Sequence, residues 1–153
     1  MQRLVSTMFV SVVMCRSLAQ GLATGMAISE EHVLTAYDVV GNQRAVQLKF
    51  GDEDWQTADY LDGNSNEGWC LLRLERKAPS FVAVENTKEA ESGDEVYVFA
   101  AENDANGGIS FLDGDIVGVE NDFRRGVGIR HSVRVDKSSI GAGLFSEDGN
   151  HVI

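Results

Sequence analysis

The feature that most constrains the fold of this chain is the regular recurrence of turn-forming residues. Clusters of glycine, asparagine, aspartate and serine return about every 8 to 12 residues from Gln20 to Asn150, a spacing typical of β-sandwiches and β-barrels. The 16 glycines and the single proline suit short strands joined by tight turns. The sequence therefore predicts an all-β fold built from many short antiparallel strands.

Strand-like segments fall into two sets of about six, on either side of Ala78-Pro79. The first set is 9–16, 24–28, 32–36, 45–50, 57–61 and 69–74; the second is 81–84, 95–101, 109–120, 127–135, 143–146 and 151–153. Helical spacing fits only 36–40, which is about one turn. Because proline cannot donate a hydrogen bond within a central strand, Ala78-Pro79 is a natural boundary. We expect one domain over 1–153, with a first unit over about 6–77 and a second over about 78–153.

The charge of the chain argues against several classes of partner. Twenty-four acidic residues against 13 basic ones give a net charge of −11, which repels nucleic-acid phosphates and anionic lipid. No stretch reaches the roughly 18 to 20 apolar residues of a membrane span.

The N-terminal run and the two cysteines are each open to a second interpretation. Arg3 and the apolar run after it imitate a secretory signal, but polar residues interrupt the run, and a first strand is favoured. Cys15 and Cys70 both lie in apolar runs, which favours buried thiols over a disulfide.

Four segments, in order, resemble the trypsin-like peptidases, and within them the bacterial HtrA/Deg type. Residues 24–29 with 33–36 are similar to the family's Gly-Ser-Gly-Phe-Val-Ile-Ser and Ile-Leu-Thr-Asn segment, and 69–74 to its Leu-Ala-Val-Leu-Lys-Ile strand. Residues 93–98 are similar to Gly-Asp-x-Val, and 141–153 to Gly-Gly-Pro-Leu-Phe followed by Asp-Gly-x-Val-Ile. The resemblance covers about residues 9–153. It implies two six-stranded antiparallel Greek-key barrels, and a periplasmic or secreted location.

The resemblance also identifies the positions that carry catalysis in the family, where a Ser attacks, a His takes its proton and an Asp orients the His. Asp38 stands in the place of the His, Gly68 in the place of the Asp, and Ile140 in the place of the Ser. A carboxylate is a poor base for this role at neutral pH, glycine has no side chain, and isoleucine has no nucleophilic atom. We therefore expect a non-catalytic pseudoprotease that needs no cofactor or metal and serves protein binding, scaffolding or regulation.

Two alternatives remain open at this point. One is a hydrolase with an unrecognised arrangement that uses Asp38, Ser138 or Ser139. The other is a metal-binding pseudoprotease that uses histidines and carboxylates on its surface. Neither alternative has a recognisable motif. His32, His131 and His151 are predicted on strands away from the cleft, and they lack metal-ligand spacing. Four positions separate Asp136 from Ile140, against about seven in the family, so the loop that forms the oxyanion hole is expected to be short.

Three further expectations concern single residues and the chain end. Asp38 and Glu67 are interpreted as exposed polar residues at the rim of a vacated cleft, and Trp55, Trp69 and Phe81 as core aromatics. The family's second barrel continues beyond the equivalent of 151–153, so the second barrel is expected to be truncated. An open edge there would pair with a partner or a second copy, or the chain is a piece of a longer protein.

Overall fold

The computed structural model describes residues 12–17, 21–41, 43–51, 53–82, 91–101, 109–122, 126–135 and 141–146. Within these ranges the chain forms ten strands and one single-turn helix. They are β1 (Val12–Ser17), β2 (Gly21–Ala27), β3 (His32–Ala36), α1 (Tyr37–Val40), β4 (Ala45–Lys49), β5 (Gln56–Asn64), β6 (Trp69–Leu74), β7 (Glu95–Ala101), β8 (Ile109–Asp122), β9 (Gly126–His131) and β10 (Leu144–Ser146). The fold is all-β and antiparallel, as the turn spacing predicts.

The first six strands form a closed barrel in the order β1-β2-β3-β6-β5-β4, which β1 closes by pairing with β4. In β4 the residues alternate between core and surface, so that Val46 and Leu48 are buried while Gln47 between them is exposed. Cys70, Leu72 and Leu74 of β6 fill the same core. The six predicted strands of this half are all present, with bounds shifted by a few residues. Turn residues on either side of short strand-like segments are the local signal that predicts these strands.

The second half forms a four-stranded sheet in the order β10-β7-β8-β9. Its core consists of Val96, Val98, Ala100, Ile116 and Val133. The predicted strands 95–101, 109–120, 127–135 and 143–146 correspond to these four. Of the predicted strand 81–84, residues 81 and 82 are not in a strand, and 83–84 and 151–153 lie outside the described residues. A closed second barrel, its truncation and a boundary near Ala78 therefore stay predictions.

The two halves meet through an apolar cluster of their own. Met26 of β2 packs there with Val82, Phe99 and Phe145, and the rings of Phe99 and Phe145 meet edge to face at 5.7 Å. The Val82 N–H also donates to the Ala27 carbonyl at 3.0 Å. Buried aromatic pairs of this geometry stabilise the fold beyond what the burial of their apolar surface contributes. This cluster fixes β10 and the residues before it against the end of the first barrel.

Several residue-level expectations have different outcomes. The interpretation of Phe81 as core is wrong, since its side chain is 45% exposed; it lies on the connection between the halves, where the neighbouring Val82 is buried instead. Trp55 and Trp69 are half-buried. Cys70 is a buried free thiol, as expected. Within the part of the chain that the structure describes, no helix is long and apolar enough to cross a membrane.

Candidate functional site

The first wall of the site is the point where β3 passes into α1. Ala36 is extended, with φ −72° and ψ 144°, and no side chain caps the single turn that follows. The turn is held by burial, because Val39 and Val40 are 0% exposed. Asp38 lies in the first turn and is exposed. The apolar anchors on one side of the turn therefore leave the Asp38 carboxylate in solvent.

The second wall is the turn between β5 and β6. The Asn64 Oδ1 atom accepts hydrogen bonds from the backbone N–H groups of Asn66 and Glu67, each at 2.9 Å. The Gly68 N–H donates to the Asn64 carbonyl at 2.8 Å. Gly68 has φ +85°, a conformation that glycine adopts without strain. Its own carbonyl accepts from the Tyr37 N–H at 2.9 Å, so that Gly68 is held beside the start of α1.

The third wall comes from the second half of the chain, just before β10. Gly141 has φ +86°, and its backbone packs against the Thr24 carbonyl and the Thr35 hydroxyl so closely that a Cβ atom there would collide with both. The Thr35 hydroxyl donates to the Thr24 carbonyl at 2.7 Å and is buried. Residue 141 therefore touches the end of β3 directly. Ile140, the residue before it, and Ser138 and Ser139 lie outside the described residues.

These three walls enclose a cleft of about 430 Å³. Its lining consists of Met26, Leu34, Thr35, Ala36, Glu67, Gly68, Trp69, Gly141, Ala142, Gly143 and Leu144. The volume lies within the range of roughly 300 to 1,000 Å³ that ligand pockets occupy. Of the predicted site residues, the structure places Glu67 and Gly68 in this lining, and Asp38 one residue beyond the hydrogen bond between Tyr37 and Gly68.

The charge and hydrogen bonding of the cleft centre on Glu67 and Trp69. The Trp69 indole Nε1–H donates to a Glu67 carboxylate oxygen at 2.8 Å. Among the described lining residues, Glu67 supplies the one carboxylate, and there is no histidine, lysine or arginine. The interpretation of Trp69 as a core residue misses its place in the cleft wall. Two local signals point to that place: Glu67 is charged, and the turn before Trp69 makes it the first residue of β6, where a strand is open to solvent.

Cys70 lies behind the cleft, and its buried thiol is unreactive at neutral pH. Its thiol donates to the Ala36 carbonyl at 3.5 Å, and its side chain is 0% exposed. Burial raises the pKa of the Cys70 thiol to about 11, because a thiolate is poorly solvated in the barrel core. Since the thiolate is the nucleophilic form, Cys70 is unsuited to attack a substrate at neutral pH.

The histidines with described positions lie on strands, as expected, and neither His32 nor His131 lines the cleft. His32, at the far end of β3, makes a 2.7 Å hydrogen bond between its Nδ1 and the Ser29 hydroxyl. The His131 Nδ1 is buried without a partner, and His151 lies outside the described residues. Among the residues with described positions, no three His, Cys, Asp or Glu side chains form a group that could hold a metal ion.

Comparison with known proteins gives one family and a consistent fold. A family model for the trypsin-like peptidase domain matches residues 23–153. No curated protein sequence matches the chain.

Solved structures of HtrA/Deg-like proteases have the same fold. Deg5 superposes with a TM-score of 0.81 at 13% identity, over 99% of this chain and 81% of that one. The active form of the Rv3671c protease from M. tuberculosis gives 0.78 at 22% identity, over 97% and 70%. The MamO protease domain from Magnetospirillum magneticum gives 0.77 at 13% identity, over 97% and 84%. At these identities the likeness establishes the fold alone.

Proposed function

The chain belongs to the trypsin-like peptidase domain family, and from that membership we propose that it is a non-catalytic member that binds, scaffolds or regulates another protein. Catalysis in this family requires a serine nucleophile, a histidine base and an aspartate that orients the base. In this chain we assign these three positions to Asp38, Gly68 and Ile140. The protein would then keep the barrel as a binding scaffold, without any of the groups that move a proton or attack a carbonyl.

The observation that carries the proposal is the hydrogen bond from the Tyr37 N–H to the Gly68 carbonyl, at 2.9 Å. It holds the chain around Asp38 next to the chain around Gly68, as a base and its orienting carboxylate would have to be held. A carboxylate stands at one of these positions and no side chain at the other. A carboxylate is a weaker base than an imidazole and accepts a serine proton poorly.

The contacts of the described histidines agree with this proposal. His32 and His131 do not line the cleft, so neither offers an imidazole to a nucleophile near Gly141. A hydrolase that uses Ser29 instead of Asp38, Ser138 or Ser139 would rest on one contact, the hydrogen bond between the Ser29 hydroxyl and His32. The Ser29 hydroxyl also accepts the Glu31 N–H at 3.2 Å, which is the geometry of a serine turn. This contact lies at the other end of β3 from the cleft.

The test is labelling by a fluorophosphonate probe together with a casein cleavage assay. We expect neither labelling nor cleavage, because labelling requires an activated hydroxyl. An active trypsin-like protease serves as the positive control, and the heat-denatured chain controls for non-specific labelling. Ser29→Ala, Ser138→Ala and Ser139→Ala variants test the candidate serines. Labelling or turnover by the folded chain would replace the proposal with the hydrolase alternative, and the variant in which it disappears would identify the serine.

A further inference from the structure

The cleft combines an apolar interior with a single negative charge. Met26, Leu34 and Leu144 contribute apolar side chains to its lining, together with Ala36 and Ala142. Glu67 is the acidic residue of the same lining and is exposed to solvent. A ligand that suits both parts has a long apolar stem and a positively charged end. Lysine and arginine side chains have this construction.

Glu67 has no cationic partner among the described residues. An ion pair elsewhere in the first half joins Lys77 to Glu30, at 3.5 Å, and does not involve Glu67. The Trp69 indole N–H is the described donor to the Glu67 carboxylate, and it occupies one oxygen at 2.8 Å. The net charge of −11 adds a long-range attraction for cations. The carboxylate at the cleft is therefore free to pair with a charge brought by a ligand.

Trp69 lies next to that carboxylate and is half-buried, so part of its ring is accessible from the cleft. An indole face attracts a cation, and a planar guanidinium both stacks on an aromatic ring and binds a carboxylate. The Asn64 hydrogen bonds to Asn66 and Glu67 fix the turn that presents these two side chains. Arginine satisfies this pair of groups better than lysine does.

We infer that the cleft binds an arginine side chain of an extended segment of a partner protein, with the guanidinium on Glu67 and Trp69 and the stem against the apolar lining. This inference rests on the proposed function, and it names the chemistry of the partner that the non-catalytic domain would bind. Arginine binding needs no reaction at Asp38, Gly68 or Ile140. Binding and catalysis can therefore be scored separately in one experiment.

The experiment titrates the whole chain with blocked tripeptides and follows the indole N–H signals by NMR. The chain has two tryptophans, so Trp69 reports on the cleft while Trp55, which is outside the cleft lining, is an internal reference; a Trp55→Phe variant assigns the two signals. We expect acetyl-Ala-Arg-Ala-amide to shift the Trp69 signal saturably. The citrulline peptide, which has a neutral isostere of arginine, should bind about fivefold more weakly, and the glutamate peptide should not bind.

Matched variants separate a specific pocket from general attraction. Glu67→Gln keeps an acceptor for the indole and removes the charge, so it should abolish the preference for arginine over citrulline. Glu75→Gln makes the same charge change on an exposed residue at the other end of β6 and should leave the preference intact. Ala142→Leu fills the cleft without altering charge and should weaken both peptides.

Three results would overturn the inference: no saturable Trp69 shift, equal affinity for the arginine and citrulline peptides, or equal losses in the Glu67 and Glu75 variants. Mass spectrometry of the peptide after each titration reports on the proposed function separately. A cleaved peptide would contradict the non-catalytic assignment whatever the Trp69 signal does. An intact peptide without a Trp69 shift would contradict only the arginine site.

Discussion

Two glycines with nearly the same backbone conformation have different roles at the residue scale. Gly68 and Gly141 have φ values of +85° and +86°. A Cβ atom at Gly68 would have no neighbour within 4 Å, whereas one at Gly141 would collide with the Thr24 carbonyl and the Thr35 hydroxyl. Conformation alone requires glycine at the first position. At the second, conformation and space both require it, because the two halves of the chain meet there.

We expect Gly141→Ala to lower the free energy of unfolding by about 3 kcal/mol. The left-handed conformation costs an alanine about 1 kcal/mol, and overpacking against the end of β3 costs about 1 to 3 kcal/mol more. Urea unfolding measures the change. Gly51→Ala is the matched control, since Gly51 has φ +51° and open space around it, and only the conformational cost applies. Equal losses in the two variants would contradict the close contact between residue 141 and β3.

The Cys70 thiol should make stability depend on pH above neutrality. Its pKa in the folded chain is about 11, above the ordinary value of 9.0, because burial disfavours the thiolate. The folded chain therefore keeps a proton that the unfolded chain loses. The stabilisation is complete below about pH 9 and declines as the pH rises towards 11.

Urea unfolding of the chain and of Cys70→Ala at about pH 8, 9.5 and 10.5 measures this contribution. Because other groups titrate in both proteins, the readout is the difference between their stabilities. We expect that difference to shrink as the pH rises. A difference that stays constant from pH 8 to 10.5 would show that the thiol ionises as easily in the folded chain as in the unfolded one.

At the scale of elements, the β5–β6 hairpin does most to shape the site. β5 carries an irregularity in its pairing with β6 between Tyr60 and Asp62, which re-aims the end of the strand. The turn that follows is closed by Asn64, through two side-chain hydrogen bonds and one backbone bond. The hairpin ends with Gly68 bonded to the start of α1. Its geometry sets where Glu67 and Trp69 stand.

Asn64→Ala should loosen this turn and destabilise the chain by about 1 kcal/mol, since it removes an acceptor shared by two backbone N–H groups. Hydrogen exchange at residues 66–68 should become faster, while exchange in β4 stays unchanged. Asn64→Asp keeps the acceptor oxygen and is the control. If Asn64→Ala left exchange at 66–68 unaltered, the side-chain bonds would not be what holds the turn.

At the scale of the whole molecule, the cleft exists only because both halves contribute to it. Leu34 to Ala36 and Glu67 to Trp69 come from the first barrel, and Gly141 to Leu144 from the second half. The apolar cluster around Phe99 and Phe145 holds these pieces together. Catalysis at this site would need correct geometry from both halves at once.

We therefore expect the triple variant Asp38→His, Gly68→Asp, Ile140→Ser to show no more than trace proteolysis. An aspartate at position 68 must adopt φ near +85°, which L side chains rarely take. Four positions separate Asp136 from Ile140, from which we expect a loop too short to aim two N–H groups at an oxyanion. Losing a triad lowers the turnover number about 10⁶-fold. A fluorogenic peptide assay covers enough of that range to distinguish trace proteolysis from robust proteolysis.

Thermal unfolding of the same triple variant establishes that it is folded before the assay is interpreted. A folded variant that cleaves the peptide robustly would show that the oxyanion geometry is intact. In that case the side chains at positions 38, 68 and 140 would account for the whole difference from an active protease, and the expectation of a short loop before Ile140 would be wrong.

The strands and the fold class are predictable from the amino-acid order, because both depend on local signals. Turn residues about every 8 to 12 positions, with strand-like segments between them, are properties of neighbouring residues. The same order of segments carried the resemblance to the family, which the match over 23–153 confirms. The assignment of Asp38, Gly68 and Ile140 comes from this order, and it remains a proposal.

Which side chains share the cleft depends on how distant segments pack. Ala36, Glu67 and Gly141 are far apart in the chain, and long-range pairing brings them together. Trp69 alternates with the core residues Cys70, Leu72 and Leu74 of β6, and its place in the cleft wall depends on where β6 begins relative to β3. Phe81 is an aromatic residue of the kind that favours strands. Its exposure depends on tertiary packing, because the second half covers the neighbouring Val82 instead. Local sequence patterns indicate where strands and turns lie. Packing between distant segments then determines which face of a strand stays exposed to solvent.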